Sequence, residues 1–163
     1  MADFLRWPDR RLQTPAAPVD VIDDIVREIW DQMVEAMDAM PGYGLAAVQV
    51  GIMRQLAVVD CSQGRGLAIK LANPEVIKAS DTLRSHEEAS PNLPGLSAVL
   101  KRPEKVLVRY LAPSGKIEEQ EFEGLWSTSV QHQIDHLKGR MFFDRLSGMK
   151  RTMLLKKWQK GRK

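Results

Sequence analysis

The chain has 163 residues, 44% of them hydrophobic and 28% charged, a balance that excludes a disordered polyelectrolyte and suffices for one domain with its own core. A net charge of +3 and a single cysteine, Cys61, exclude an internal disulfide and suit a reducing, cytoplasmic setting. There is no long apolar run of the kind that spans a membrane, and the first twenty residues lack the apolar core of a signal peptide.

In chain order, the first periodic segment runs from Asp20 to Met40. Apolar residues at Ile22, Ile25, Val26, Ile29, Trp30, Met33, Met37 and Met40 predict an amphipathic helix, capped by Asp20 and ended by Pro41 and Gly42. The next stretch, GYGLAAVQVG (42–51), is a glycine-rich turn on its own composition. QLAVVD (55–60) and LAIKLANP (67–74) have the Val and Ile content of strands, and Cys61 reads as a small buried apolar residue. Within residues 86–106, ASPN reads as a surface turn. EKVLVRYLAPSGKIEEQEFEG (104–124) alternates and turns at Pro113, Ser114 and Gly115, which predicts a β-hairpin.

A second helix is predicted over Leu125 to Leu137, stopped by Gly139. A third starts near Ser147 and carries Met149, Met153, Leu154 and Trp158 along one side, as core residues beneath a basic face. The fold class is therefore α+β, a single domain over 1–163 with a basic helix or tail at 150–163. Seven of those last fourteen residues are Lys or Arg and none is acidic, whereas the rest of the chain is mildly acidic. Only the tail is then suited to an anionic partner such as RNA or a membrane surface; a solvated helix face explains it as well.

The second helix contains VQHQIDHLKGR, in which His132 and His136 stand four apart and share a face, so both imidazoles can be directed at one ion. That spacing supplies two ligands and no more. Three stretches taken together carry more information: GYGLAAVQVG, HEEASPNLPGLSAVLKRPEKV and QHQIDHLKGRMFFDRLS. With the N-terminal WPDRRLQTPA they resemble, in order and separation, the motifs of the peptide deformylase family over nearly the whole chain. The resemblance implies a central helix carrying the metal histidines, surrounded by short antiparallel or mixed sheets, with a C-terminal helix. It also implies hydrolysis of the N-formyl group of nascent-chain methionine by an Fe²⁺, Zn²⁺ or similar ion, and a ribosome contact through the C-terminal helix.

The family's first motif, G-x-G-L-A-A-x-Q, is matched by Gly42, Gly44, Leu45, Ala46, Ala47 and Gln49, and the Gln49 amide can donate to a developing oxyanion. The second motif departs. Ser90 aligns with the metal-binding cysteine, and Pro91 with the residue whose backbone N–H serves the oxyanion. In the third, Gln133 replaces the glutamate of H-E-x-x-D-H, and a carboxamide cannot relay protons. Asp135, Arg102 and Glu88 match supporting residues, the acid orienting a metal histidine and the arginine pairing with carboxylates, while His86 is a candidate substitute ligand.

These departures lead to the expectation of a deformylase-like protein that keeps a peptide cleft but has lost most or all metal-dependent hydrolysis. Its cofactor is then none, or Fe²⁺, Zn²⁺ or Ni²⁺ if the metal site survives, and its partners a nascent-peptide N-terminus and the ribosome, with no membrane. Two alternatives stay open: an active metallohydrolase with an unusual ligand set, and an RNA- or ribosome-binding factor acting through the tail.

Overall fold

The computed structural model describes residues 3–161; Arg162 and Lys163 of the basic tail lie outside the described residues. Three α-helices and seven strands follow the order α1 (Asp24–Ala39), β1 (Gly44–Ala46), β2 (Leu56–Val59), β3 (Ile69–Ala79), β4 (Leu83–Ala89), β5 (Ser97–Pro103), β6 (Lys105–Leu111), β7 (Ile117–Glu123), α2 (Leu125–Leu137) and α3 (Gly148–Gly161). An antiparallel sheet has the order β1-β2-β3-β6-β7, and β4 pairs with β5 in a separate two-stranded ribbon.

The large sheet lies between α1 and α2, and its sequence shows why. All four β2 residues, LAVV, are buried, because both faces of the strand are covered. Leu56 and Val58 pack with Val26, Trp30, Met33 and Met37 of α1, while Val59 joins Leu71, Val106, Val108 and Phe122 against Val130 and Ile134 of α2. The Trp30 indole N–H donates to the Leu71 carbonyl at 3.2 Å, which satisfies its one polar atom inside that core. A third cluster joins Trp7, Leu12, Leu93, Leu100, Met141, Phe142, Phe143 and Trp158, and so ties the β4–β5 ribbon and α3 to the N-terminal segment.

Several expectations are corrected. Helix α1 begins at Asp24, and its cap is Asp23, whose carboxylate accepts from the Val26 N–H; Asp20 precedes the helix. Ile25 is 64% exposed and does not belong to the buried stripe. Strand β3 continues past Pro74 to Ala79, with register shifts on either side of Glu75 and Val76 that let its pairing with β6 resume beyond the proline. Cys61 is half-buried at the edge of the α2 core. On α3 only Trp158 is buried; Met149 and Met153 are 76% and 65% exposed, so they are surface and not core residues.

Candidate functional site

Helix α2 is polar in sequence yet every residue from Ser127 to Leu137 is buried. Its side chains meet this cost by bonding to backbone carbonyls of neighbouring elements. Ser127 Oγ donates to Pro103 O at 2.9 Å, the Gln131 amide donates to the Pro103 and Ser127 carbonyls, and Ser129 Oγ donates to Tyr43 O at 2.8 Å. The helix is thereby fixed between β1 and the end of β5. It terminates where predicted: Gly139 adopts φ +80°, and a Cβ there would lie 2.8 Å from the backbone of Gln13, so only glycine fits.

His132 and His136 do share a face. Their Nε2 atoms approach to 3.1 Å, about the separation expected of two imidazoles on one tetrahedral ion. His132 is held from behind by Glu88, whose Oε1 lies 2.8 Å from its Nδ1. Glu88 in turn receives two bonds from Arg102, 2.6 Å from Nε and 2.8 Å from Nη2. Arg102 Nη1 reaches Asp135 at 3.0 Å, and Arg145 closes the chain onto the same carboxylate at 2.5 and 2.8 Å. The acid that orients a histidine is thus Glu88; Asp135 instead joins the two arginines.

Electrostatics follow from this arrangement. Burial works to raise the Glu88 pKa, but hydrogen bonds from Arg102 and His132 outweigh it and hold the carboxyl below its ordinary value. Asp135 is likewise lowered against the opposing effect of burial, by the Arg145 bond and the charges of Arg102 and Arg145. Burial, reinforced by His132, pushes His136 well below the ordinary imidazole value, so it is neutral at physiological pH.

A cavity of about 240 Å³ opens beside the histidine pair. Gly42, Gly44, Gln49, Glu88, Pro91, His132 and Gln133 line it, with His86 at the β4 side. Gly44 is required by close approach, because a Cβ there would lie 2.5 Å from Gln133 Nε2 and 2.6 Å from Ser129 Oγ. Leu45 is fully buried and points into the α1 core, so it supports the cleft from beneath. Gln133 Oε1 and His136 Nδ1 are buried with no hydrogen-bond partner among the described residues.

The donor set can be tested against a metal ion. The two converging imidazoles fit. The third position does not, since Ser90 Oγ donates to Asn92 Oδ1 at 2.9 Å and faces the Gln49 amide at 3.3 Å. It is a neutral hydroxyl already engaged within the protein, and a weaker donor to an ion than the thiolate, imidazole or carboxylate that ordinarily fills such a position. Among the described residues no third His, Cys, Asp or Glu completes the pair. Gln49 has also spent its amide: Oε1 accepts from the Ala46 N–H at 2.9 Å and Nε2 donates to Asn92 Oδ1 at 2.8 Å.

Residues 1–152 match the family model described as polypeptide deformylase. The chain belongs to the polypeptide deformylase family. It is 40% identical to peptide deformylase 1 of Pseudomonas syringae pv. tomato, over 99% of this chain and 96% of that protein. To peptide deformylase of Methylocella silvestris it is 42% identical, over 96% and 82%. A crystal structure of a peptide deformylase from Legionella pneumophila superposes with a TM-score of 0.90 at 34% identity, covering 99% of this chain and 95% of that one. The deformylase of Ehrlichia chaffeensis in complex with actinonin superposes equally well, at 29% identity.

Asn92 and Arg145 are two deformylase-fold residues of this site that sequence reasoning missed. Asn92 is fully buried and bonds to Leu5 O, Gln49 O and Ser90, so it joins the N-terminal segment to the cleft. Arg145 lies beyond the helix-ending glycine, and its one sequence signal is the DR pair following the two phenylalanines in FFDR.

Proposed function

We propose that this deformylase-family chain binds the N-terminus of formyl-methionyl peptides in the Gly44–Gln133 cleft, in the cytoplasm, with hydrolysis lost or greatly reduced. The observation that carries the proposal is the third ligand position, where a neutral Ser90 hydroxyl is tied to Asn92 beside an intact histidine pair. Gln133 and Pro91 point the same way. Loss of a general base typically costs about 10²–10⁴-fold, and loss of one oxyanion donor about 10²–10³-fold. Gln133 keeps a binding role: it lines the cleft, and its unpaired Oε1 accepts an N–H from the peptide's acylated terminus.

A second reading, which the family relatives support better than the first, is an active deformylase, with Fe²⁺, Zn²⁺ or Ni²⁺ on His132, His136 and either Ser90 or water. Two observations favour it: relatives about 40% identical over nearly the whole chain are named peptide deformylase, and the two imidazoles converge at a separation an ion could bridge. When bound, such an ion would supply Lewis acidity and an acidified water. Ser90 would first have to leave Asn92.

One comparison separates these readings. The protein and its Ser90→Cys/Pro91→Leu/Gln133→Glu variant are loaded with Fe²⁺, Ni²⁺, Co²⁺ or Zn²⁺, and formyl-Met-Ala-Ser is followed by calorimetric binding and by formate release. The proposal expects the parent to bind the peptide, with metal content and turnover appearing only in the triple variant. Parent turnover within about tenfold of the variant, a difference of about 1.4 kcal/mol, would establish the second reading.

A further inference from the structure

The sequence makes α3 a basic helix with an apolar side, and the structure leaves part of that side uncovered. Between α3 and the β4–β5 ribbon runs a groove of about 560 Å³, larger than the cleft cavity. Its floor is Ala98 and Val99 of β5 with Leu146, Met153 and Leu154. Val99 is 61% exposed, and Met153 stands out to a similar degree. Lys150, Lys156, Lys157 and Lys160 surround this floor. None of the four forms an ion pair with a carboxylate of the described residues, whereas Arg151, on the opposite side of the same helix, is engaged by Asp144 at 2.8 Å and by the Phe143 ring.

We propose that this groove docks an acidic amphipathic helical segment of a partner protein. The lysine rim sets the charge of the occupant, and the apolar floor sets its other face. Nucleic acid would use the rim through its phosphates but would leave Val99 and Met153 wet. A lipid surface suits a flat or convex apolar face, whereas this one is a recess between a helix and a ribbon. A helix placing one apolar stripe on the floor and carboxylates along its borders satisfies both features. The fourteen residues of α3 offer a track about 21 Å long, which matches roughly four turns of a partner helix. Flexible methionine at the centre of the floor accommodates varied anchor side chains.

The probe is a fluorescein-labelled peptide of about sixteen residues, long enough to form a helix, with leucines on one face and glutamates on the other. Its anisotropy is titrated with the full chain. Saturable binding is expected, weakened about tenfold by Met153→Ser and by Lys156→Glu/Lys157→Glu. A scrambled peptide of the same composition should bind about tenfold more weakly than the amphipathic one. Both substitutions are at exposed positions, so an unchanged melting temperature verifies the fold.

The inference is overturned by several results. Equal binding of the scrambled peptide, or indifference to Met153→Ser, would reduce the groove to a polyanion patch, as would tighter binding of RNA insensitive to that substitution. Tighter binding to phosphatidylglycerol vesicles would make the occupant a membrane. Sedimentation showing Met153-dependent dimers would make it a second copy of this chain, and no binding at about 100 µM peptide would remove the site altogether.

Discussion

Substitution of Arg102 by methionine removes a buried charge while keeping most of the side-chain volume, and it tests whether the ion chain behind the histidines is what holds the site together. Arg102 is 1% exposed and faces two carboxylates, Glu88 at 2.6 Å and Asp135 at 3.0 Å. Unit charges about 4 Å apart attract by about 4 kcal/mol at an effective dielectric of about 20. Asp135 retains Arg145 after the substitution, so the stranded group is Glu88, left with His132 alone. Breaking a buried pair from one side costs about 3–5 kcal/mol. For a chain of this size that corresponds to a fall of roughly 10 °C in melting temperature.

Urea unfolding followed by the fluorescence of buried Trp30 and Trp158 measures the loss directly. Adding Glu88→Gln should recover more than about 1 kcal/mol, because the neutral amide no longer needs a counter-charge. A single-variant loss below about 1 kcal/mol, the range of exposed pairs, would refute the claim that Arg102 neutralises a desolvated acid.

The same acids predict an acid-labile fold: Glu88 and Asp135 are held below their ordinary values of 4.5 and 3.8, so their contribution is fully present above about 4.5 and is lost as pH falls through the lowered folded-state values. Melting temperatures recorded from neutral pH down to about pH 3 should decline steeply below about 4.5, and a flat profile there would contradict the assignment. Gly44→Ala should weaken calorimetric binding of formyl-Met-Ala-Ser by about tenfold or more, because its Cβ would meet Gln133 at 2.5 Å and push that side chain into the cleft. Unchanged affinity would place the peptide elsewhere.

How much of this was legible depends on how local the governing interaction is. Helix α2 and the β6–β7 hairpin follow from sequence because Gly124, Gly139 and the Pro113–Gly115 turn impose their ends locally. The start of α1 does not, since Asp20 and Asp23 are equally good caps in isolation and only tertiary packing of Val19 and Ile22 against the sheet selects the later one. The β4–β5 ribbon was missed for a similar reason. Glu88 is the single buried residue of β4, and a strand whose buried residue is a glutamate has no apolar period to detect. Met149 and Met153 deceived in the opposite direction: helical spacing reports a shared face, but not whether anything covers that face.

The site separates support from chemistry in a physically meaningful way. Glu88, Arg102 and Asp135 form a buried network that the partly exposed Arg145 closes at its edge, and Arg102 is costly to alter because Glu88 would be left as an uncompensated buried charge. Ser90, Pro91 and Gln133 face the cleft or its border, where neutral side chains replace groups that the family resemblance makes a thiolate, a backbone donor and a carboxylate. Each replacement removes a charge or a donor from a partly desolvated cavity without breaking an ion pair of that network, although Gln133 Oε1 is left without a partner there among the described residues. Ser90 bonds to Asn92 and faces Gln49, while His132 stays in place because Glu88 holds its Nδ1 from the other side. Stability therefore constrains the support network more tightly than the cleft, so the buried ions behind His132 can stay fixed while the side chains that face the cavity vary.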